Sequence, residues 1–392
     1  MRKGWEYKKL GEIAKCAIGL TYKPENVTEE LSGTIVLRSS NIQNSILDFN
    51  DIVRVNVPVK EDKIVKDGDI LMCSRNGSIR LVGKVALIKN LKERMSYGAF
   101  MTIIRSQYNP YLFEYFKTPA FRQYLIAGKT TTVNQITVKM LNNLTIPLPP
   151  KSTQLAIVSE LDKINELIRL KKEQLKDFDN LAQSLFFEMF GDPVENEKGW
   201  EVKKLDDVCI ITSSKRIFAD EYTETGIPFY RSKEVIERSK GLPISVELFI
   251  SEERYNKIKE KFGVPKIGDI LITAVGTIGK IWAIDTDNKF YFKDGNLVWL
   301  KDIDNQLANS CFFRRLLEYL IEEYKKTNAN GAAYNALTIA KLKLMSCPLP
   351  PLSLQQLFAQ RIEQIEREKS EVQKSIQDLE TLLASRMQYW FE

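Results

Sequence analysis

The sequence contains no histidine and only five cysteines. Histidine is the usual general base near neutral pH and the most frequent metal ligand, so its absence argues against the commonest hydrolytic and metal-dependent sites. The cysteines form no CxxC pair of the kind that binds zinc, and an odd, scattered set is not a disulfide framework. We therefore expect a reducing setting, the cytoplasm, and no metal or other cofactor. The five are Cys16, Cys73, Cys209, Cys311 and Cys347.

Long hydrophobic runs are also lacking. No stretch of about 18 apolar residues is present, and the first residues, MRKGWEYKKLGEI, do not resemble a secretory signal, so a soluble chain without membrane partners is expected. The 57 basic and 51 acidic side chains leave a net charge of +6. Such an excess is compatible with a polyanionic partner but does not establish one.

Motifs for nucleotide chemistry are incomplete. Residues 77–84 (GSIRLVGK) have one residue too many between their glycines for a phosphate-binding loop, and Val85 stands where that loop has its magnesium-binding Ser or Thr. Residues 276–280 (GTIGK) are shorter still. Because both follow a GDIL segment, we predict a pair of equivalent turns or hairpins. A dinucleotide fingerprint is absent, so the sequence predicts a protein that is not an enzyme.

What the sequence does contain is one internal duplication. Residues 4–10 (GWEYKKL), 68–71 (GDIL) and 147–150 (PLPP) return in the same order as residues 199–205 (GWEVKKL), 268–271 (GDIL) and 348–351 (PLPP). Three matches kept in order over the whole length predict two similar halves.

Each half divides at its PLPP segment. Short β-rich runs such as residues 34–37 and 86–88 are interrupted by helical stretches near residues 111–125 and 312–324, which predicts an α+β domain. After each PLPP, Ser152 and Ser353 lie where we expect the N-cap of a long helix. The prolines are predicted to end the globular domain and set the direction of that helix.

Both predicted helices carry apolar residues at alternating spacings of four and three, which is typical of a coiled coil. The first seam consists of Ile157, Leu161, Ile164, Ile168, Lys171, Leu175, Phe178 and Ala182. The second consists of Phe358, Ile362, Ile365, Lys369, Val372, Ile376, Leu379 and Leu383. The alternative is that each helix packs only on its own domain.

The direction of the two helices is open on local chemistry. In an antiparallel pair with symmetric register, Leu161 would face Leu379 and Lys171 would face Lys369, which is unfavourable unless both lysines reach outward. A parallel pair would place each lysine against an aliphatic residue. We nevertheless expect the antiparallel pair, because folding the duplicated chain back on itself relates its two halves by an approximate two-fold axis.

The loops of the two halves are rich in cationic, amide and hydroxyl side chains, which hold phosphates and recognise base edges. They follow an apolar strand, follow the GDIL strand or precede the PLPP segment. The candidate DNA-binding residues are Arg38, Ser39, Asn41, Ser74, Arg75, Asn76, Arg80, Lys84, Lys129, Thr131 and Asn134 in the first half, and Arg231, Lys233, Thr273, Lys280, Asn330, Tyr334 and Asn335 in the second.

The order of these segments resembles the specificity subunit of type I restriction-modification systems over essentially the whole chain. The segments GDIL, IPLPPKSTQLAI and CPLPPLSLQQLFAQRI are similar to that family's repeated scaffold. The resemblance implies two target-recognition domains, each binding half of a bipartite, non-palindromic DNA site. It also implies antiparallel helices that space the domains and bind methyltransferase subunits, two copies being expected, with restriction and translocation in further chains. Gln154 and Gln355 follow the PLPP turns without the acidic residue often paired there.

The resulting prediction has two recognition domains, residues 1–150 and 191–351, and two long helices, residues 151–190 and 352–392. Two other functions stay open. The chain could be a coiled-coil scaffold that joins two protein-binding modules without touching DNA, which a salt-sensitive gel shift would distinguish. It could also be an enzyme using an unrecognised lysine or carboxylate, which the missing histidine makes remote.

Overall fold

The computed structural model describes residues 4–127, 134–327 and 336–391. The chain divides into two compact units, the first formed by Met1–Glu173 with Gln373–Glu392 and the second by Gln174–Val372. Each unit therefore combines one globular repeat with parts of both long helices. In the described residues, no helix has the length and apolar character needed to cross a membrane.

The first repeat alternates short strands with short helices. Its strands are β1 (Glu6–Lys9), β2 (Lys15–Ile18), β3 (Val27–Thr28), β4 (Thr34–Leu37), β5 (Ile42–Gln43), β6 (Ile46–Leu47), β7 (Arg54–Val55), β8 (Ile70–Cys73), β9 (Val85–Leu87), β10 (Met95–Tyr97), β11 (Met101–Arg105) and β12 (Thr145–Leu148). Its helices are α1 (Leu10–Ile13), α2 (Asn109–Tyr115), α3 (Pro119–Ala127), α4 (Val138–Asn143) and the long α5 (Lys151–Phe190).

The second repeat has a similar plan with fewer strands and more helix. Its strands are β13 (Glu201–Lys204), β14 (Ile210–Thr212), β15 (Tyr222–Thr223), β16 (Ile227–Tyr230), β17 (Phe249–Ile250), β18 (Ile270–Thr273), β19 (Ile281–Ala283), β20 (Tyr291–Phe292), β21 (Leu297–Lys301) and β22 (Ser346–Leu349). Its helices are α6 (Leu205–Val208), α7 (Ser232–Ser239), α8 (Glu252–Phe262), α9 (Ser310–Thr327), α10 (Ile339–Lys343) and the long α11 (Leu352–Phe391).

The two four-stranded sheets of each repeat correspond, whereas the two-stranded β5-β6 sheet of the first repeat has no counterpart in the described part of the second. One four-stranded sheet has the order β2-β11-β8-β9 in the first repeat and β14-β21-β18-β19 in the second. The β8–β9 and β18–β19 pairs are antiparallel, so the glycine-rich segments between them are the predicted hairpin turns. A second sheet, β10-β4-β7-β3, has β20-β16-β17-β15 as its counterpart, and the pairs β10–β4 and β20–β16 are both parallel. The α+β prediction is confirmed.

The helical stretch expected near residues 111–125 is two helices rather than one. Pro119 begins α3, and the Thr118 hydroxyl accepts a hydrogen bond from the Phe121 backbone N–H at 3.2 Å. A proline at the first position and a threonine cap before it favour a fresh helix start, which separates α3 from α2.

The PLPP segments belong partly to strands. Pro147 lies in β12 opposite Tyr7 of β1, and Pro348 lies in β22 opposite Val202 of β13. Each pair forms a two-stranded sheet, and proline is tolerated on such an edge because no further strand needs its missing N–H.

The predicted N-caps are wrong. The long helices begin at Lys151 and Leu352, so Ser152 and Ser353 lie inside the first turn. The buried side chains of Gln154 and Gln355 instead turn back and donate to the carbonyl oxygens of Pro149 and Pro350, both at 2.8 Å. The glutamines therefore fix the exit from each strand into its helix.

The two long helices pack antiparallel, as expected. In the first unit, Glu160 near the start of α5 is hydrogen bonded to Arg386 and Trp390 near the end of α11. In the second unit, Lys369 in the first half of α11 pairs with Asp179 in the second half of α5 at 2.8 Å. The hydrogen bonds from Arg386 and Trp390 lower the pKa of the Glu160 carboxyl.

The register differs from the symmetric one. Leu161 packs in a cluster with Leu383 and Phe391, not opposite Leu379. Lys369 has a carboxylate partner in Asp179, which removes the lysine–lysine repulsion that favoured a parallel pair. The expected repulsion is absent because the two seams do not align at their midpoints.

Gln355 offers a test of the helix exit. Its side chain donates to Leu307 O at 3.0 Å and Pro350 O at 2.8 Å and accepts from Asn309 N at 2.8 Å, all with the residue fully buried. Replacement by alanine should lower the free energy of unfolding by about 2 kcal/mol, because buried backbone groups lose their partners. Chemical denaturation measures this loss.

The neighbouring Gln356→Ala is the matched control, since Gln356 is exposed. Its effect should stay within about 0.5 kcal/mol. Equal losses in the two variants would mean that Gln355 does not hold the exit.

Candidate nucleic-acid interface

Three loops of the first repeat meet where β8 ends. The Asn76 amide donates to Ser39 Oγ at 3.2 Å, and its backbone N–H donates to Asn134 O at 3.3 Å. The Asn134 amide in turn donates to Gly77 O at 2.9 Å. The structure therefore brings together candidates from all three loops that the sequence singled out in this half.

Arg75 projects from the same turn. Its guanidinium lies 5.2 Å from the centre of the Phe100 ring, and both side chains are exposed. No carboxylate pairs with Arg75 among residues 4–127, 134–327 and 336–391. A cation stacked on an aromatic face keeps its charge while losing freedom of movement, which suits it to bind an anion or a base edge.

Two further candidates of this half are buried. Asn41 is 1% exposed and its amide donates to Asp48 O and Asp51 O, both at 2.9 Å. The Ser74 hydroxyl lies 2.5 Å from Thr102 Oγ1. These side chains position their loops, since neither could reach a duplex without displacing the loop that it holds.

Arg80 and Lys84 flank the hairpin turn. Arg80 is exposed, Lys84 is half-buried, and neither is paired with a carboxylate in the described part of the chain. The turn itself is held by Arg122, whose guanidinium donates to the carbonyl oxygens of Val82 and, at 2.7 Å, of Arg80. Arg80 and Lys84 are thus available for phosphate contacts.

Arg38 and Arg231 occupy equivalent places, and each is engaged within its own repeat. Arg38 pairs with Asp51 at 2.6 Å. Arg231 pairs with Glu234 at 2.9 Å and Glu247 at 2.8 Å. Their charges are largely compensated, unlike that of Arg75.

Lys233 shares Glu247 with Arg231, at 2.7 Å. Hydrogen bonds from Lys233 and Arg231 lower the pKa of the Glu247 carboxyl to about 2. Because its folded pKa lies below the ordinary value, this exposed cluster is intact above pH 5 and is lost as the pH falls towards 2.

In the hairpin turn of the second repeat, Thr273 is buried. Its hydroxyl donates to Thr277 O and accepts from the Lys280 N–H at 2.9 Å. Thr273 thus closes the turn, whereas the half-buried Lys280 has no ion-pair partner among the described residues.

Five candidates fall outside the described residues. They are Lys129, Thr131, Asn330, Tyr334 and Asn335.

The sequence reasoning missed three features beside these loops. Phe100, 58% exposed, lies under Arg75. Asn296 occupies the equivalent position in the second repeat, where its amide has no hydrogen bond to a described residue. Lys215 lies 4.4 Å from the centre of the Phe262 ring. In the sequence, Phe100 is an aromatic residue directly after a turn of small residues. The alternation of apolar and polar residues alone would place it in a strand.

Comparison with known proteins decides the family. The model of the type I restriction modification DNA specificity domain matches residues 2–177 and again residues 197–381. The chain belongs to this family.

The specificity chain is similar to relatives over most of its length. It is 27% identical over 386 residues to the MjaIX type I restriction enzyme specificity subunit of Methanocaldococcus jannaschii, covering 91% of this chain and 85% of the relative. It is 23% identical over 409 residues to the EcoKI specificity subunit of Escherichia coli K12, covering 95% and 84%.

A solved chain from a study of complex assembly and conformational transition of the type I R-M system has the same fold. The TM-score is 0.63 at 21% identity, with 100% of this chain and 98% of that chain covered. At this identity the likeness establishes the fold of the specificity chain.

Arg38 and Arg231, which occupy equivalent places in the two repeats, can be tested together. If Arg38 and Arg231 contact DNA, the folded Arg38→Ala/Arg231→Ala variant should bind duplex DNA more weakly. A base contact costs about 1–3 kcal/mol and relaxes one position, while a phosphate contact weakens all sequences alike. Titrations at several salt concentrations measure both the affinity and its salt slope. Unchanged affinity and slope would make these arginines purely structural.

Proposed function

We propose that this chain is the non-catalytic DNA-recognition subunit of a type I restriction-modification complex in the cytoplasm. Residues 1–150 and 191–351 are its two recognition domains, each binding one half of a bipartite, non-palindromic site. Adenine methylation and ATP-driven cleavage belong to partner chains, namely methyltransferase subunits in two copies and the restriction and translocation subunits.

One observation carries the proposal: the repeats share a backbone but differ in the side chains that their loops present. Ser74 N–H donates to Phe100 O, and Ala274 N–H makes the same bond to Asn296 O, both at 2.8 Å. At these equivalent positions the first repeat offers Arg75 and Phe100, whereas the second offers Val275 and Asn296. Equivalent scaffolds with different recognition groups suit two different half-sites.

Charge supports a polyanionic partner. The net charge is +6, and exposed or half-buried cations without a carboxylate partner in the described residues include Arg75 and Arg80 in one repeat and Lys280 in the other. Phosphate contacts of this kind fix the orientation of a protein on DNA and make binding salt-dependent.

The helices support the spacing role. Each helix is 40 residues long. Each of the two units contains parts of both helices, packed antiparallel. Two methyltransferase copies that modify opposite strands must be related by an approximate two-fold axis, because the strands run antiparallel. We propose that this helix pair sets the gap between half-sites and binds both copies.

The two domains should recognise their half-sites independently of each other. Exchanging residues 1–150 for the equivalent domain of a relative should change only one half-site, because the loops of the second repeat are untouched. Sequencing the methylated genome of cells that express the exchange chain with its methyltransferase subunits identifies the motif. Changes in both half-sites would contradict the proposal, and failure of duplex DNA to bind in a salt-sensitive gel shift would favour a protein-binding scaffold.

The length of the helices should set the gap between the two half-sites. Four residues inserted near Lys171 add about 6 Å and roughly 40° of net rotation. At about 3.4 Å per base pair, the unspecified gap should grow by one or two base pairs while the half-site sequences stay the same. The methylated motif of the variant is the measurement.

The insertion interrupts the four-three seam, so some loss of stability is expected. A seven-residue insertion at the same place keeps the seam and serves as the companion variant, with a gap longer by about three base pairs. An active variant with an unaltered gap would mean that the helices do not set the distance.

A further inference from the structure

We propose that two pairs of equivalent positions, Arg75 with Val275 and Phe100 with Asn296, determine one base in each half-site: Arg75, stacked on Phe100, recognises a guanine, and Asn296 recognises an adenine. This inference rests on the proposed DNA-recognition function and deepens it by naming the side chains that carry specificity.

Backbone hydrogen bonds establish the equivalence. The N–H groups of Ile136 and Leu337 donate to the carbonyl oxygens of Ser74 and Ala274, at 2.7 and 3.0 Å. In the ladders, Met101 pairs with Cys73 and Leu297 pairs with Thr273. The residues before these strand starts, Phe100 and Asn296, therefore occupy the same place beside the same turn.

Arg75 differs from Arg38 and Arg231 in its surroundings. Arg38 and Arg231 are bound by carboxylates of their own repeat, so moving either to DNA would break an ion pair. Arg75 has only the Phe100 ring at 5.2 Å within the described ranges. No internal partner must be given up when its guanidinium meets a base.

The backbone fixes where this guanidinium starts. Phe100 O accepts hydrogen bonds from both Ser74 N–H and Arg75 N–H, at 2.8 and 3.1 Å. The residue that supplies the ring therefore also anchors the main chain of the arginine. The N–H groups of a planar guanidinium held in this way match the two acceptors, O6 and N7, that guanine presents in the major groove.

Asn296 presents different chemistry on the same backbone. Its half-exposed amide makes no hydrogen bond to any described residue, and the nearby Asp294 is paired with Arg216 at 2.8 Å. Val275 adds no competing polar group. A free amide can donate to N7 and accept from N6 of adenine at once, which guanine cannot offer.

The test uses the full complex with its methyltransferase subunits. The methylated motif is determined for wild type, Arg75→Ala and Asn296→Ala. The alanine at residue 75 should relax one guanine position of one half-site, and the alanine at residue 296 should relax one adenine position of the other half-site. Arg94→Ala removes an exposed arginine that pairs with Glu61 at 2.8 Å, and as a matched control it should leave the motif unchanged.

Binding titrations then separate base recognition from phosphate contact. Duplexes carrying each of the four base pairs at the relaxed position are compared with wild type and with each variant. Wild type should prefer its own base pair by roughly tenfold or more, and the variant should lose that preference. Arg75→Lys should retain part of it, because a lysine can still donate to guanine.

A uniform loss of affinity for all duplexes would overturn the inference, as would an unchanged motif in both variants or relaxation at another base. These outcomes differ from failure of the proposed function, in which the wild-type complex itself would have no bipartite motif. Since Arg75 and Asn296 make no side-chain ion pairs or hydrogen bonds to described residues, both variants should fold.

Discussion

The rest of the structure depends on the antiparallel packing of the two long helices against the globular repeats. In the first unit, Ile157 and Leu161 of α5 share a core cluster with Phe391 at the end of α11. In the second unit, Phe186 and Phe190 of α5 share a core cluster with Phe358 of α11. Each globular repeat is therefore completed by the helix of the other repeat, so neither half buries its apolar surface alone.

This arrangement leaves the loops at strand ends, where the candidate DNA-binding residues lie, free of the shared scaffold. The shared scaffold of hairpins, edge strands and glutamine-fixed helix exits is the same in both repeats, and buried side chains such as Asn41 and Thr273 hold its turns. The exposed positions on these turns are then free to differ. A scaffold duplicated in this way can present two sets of recognition groups without a change of fold.

The duplication, the two hairpins and the coiled-coil helices could be predicted from the sequence, because repeated segments and a four-three seam are patterns within the chain. The helix starts could not. Ser152 resembles an N-cap, but the helix already begins one residue earlier, at Lys151, and Gln154 supplies the bond to Pro149. The register also depends on partners such as Asp179 for Lys369, which periodicity does not specify.

The candidate site was only partly predictable for a similar reason. Residue type identified Arg75 and Asn76, but burial distinguishes them from Asn41 and Ser74, and internal carboxylates distinguish Arg75 from Arg38. The equivalence of Phe100 and Asn296 rests on the matching backbone hydrogen bonds that they accept from Ser74 and Ala274, which residue type does not specify.

The methylated motif of the native complex tests most directly whether the two domains recognise a bipartite site. It is mapped by sequencing DNA from cells that express this chain with its methyltransferase subunits. Two different, defined half-sites separated by a fixed unspecified gap are predicted. A continuous or palindromic motif, or methylation that does not require this chain, would contradict it.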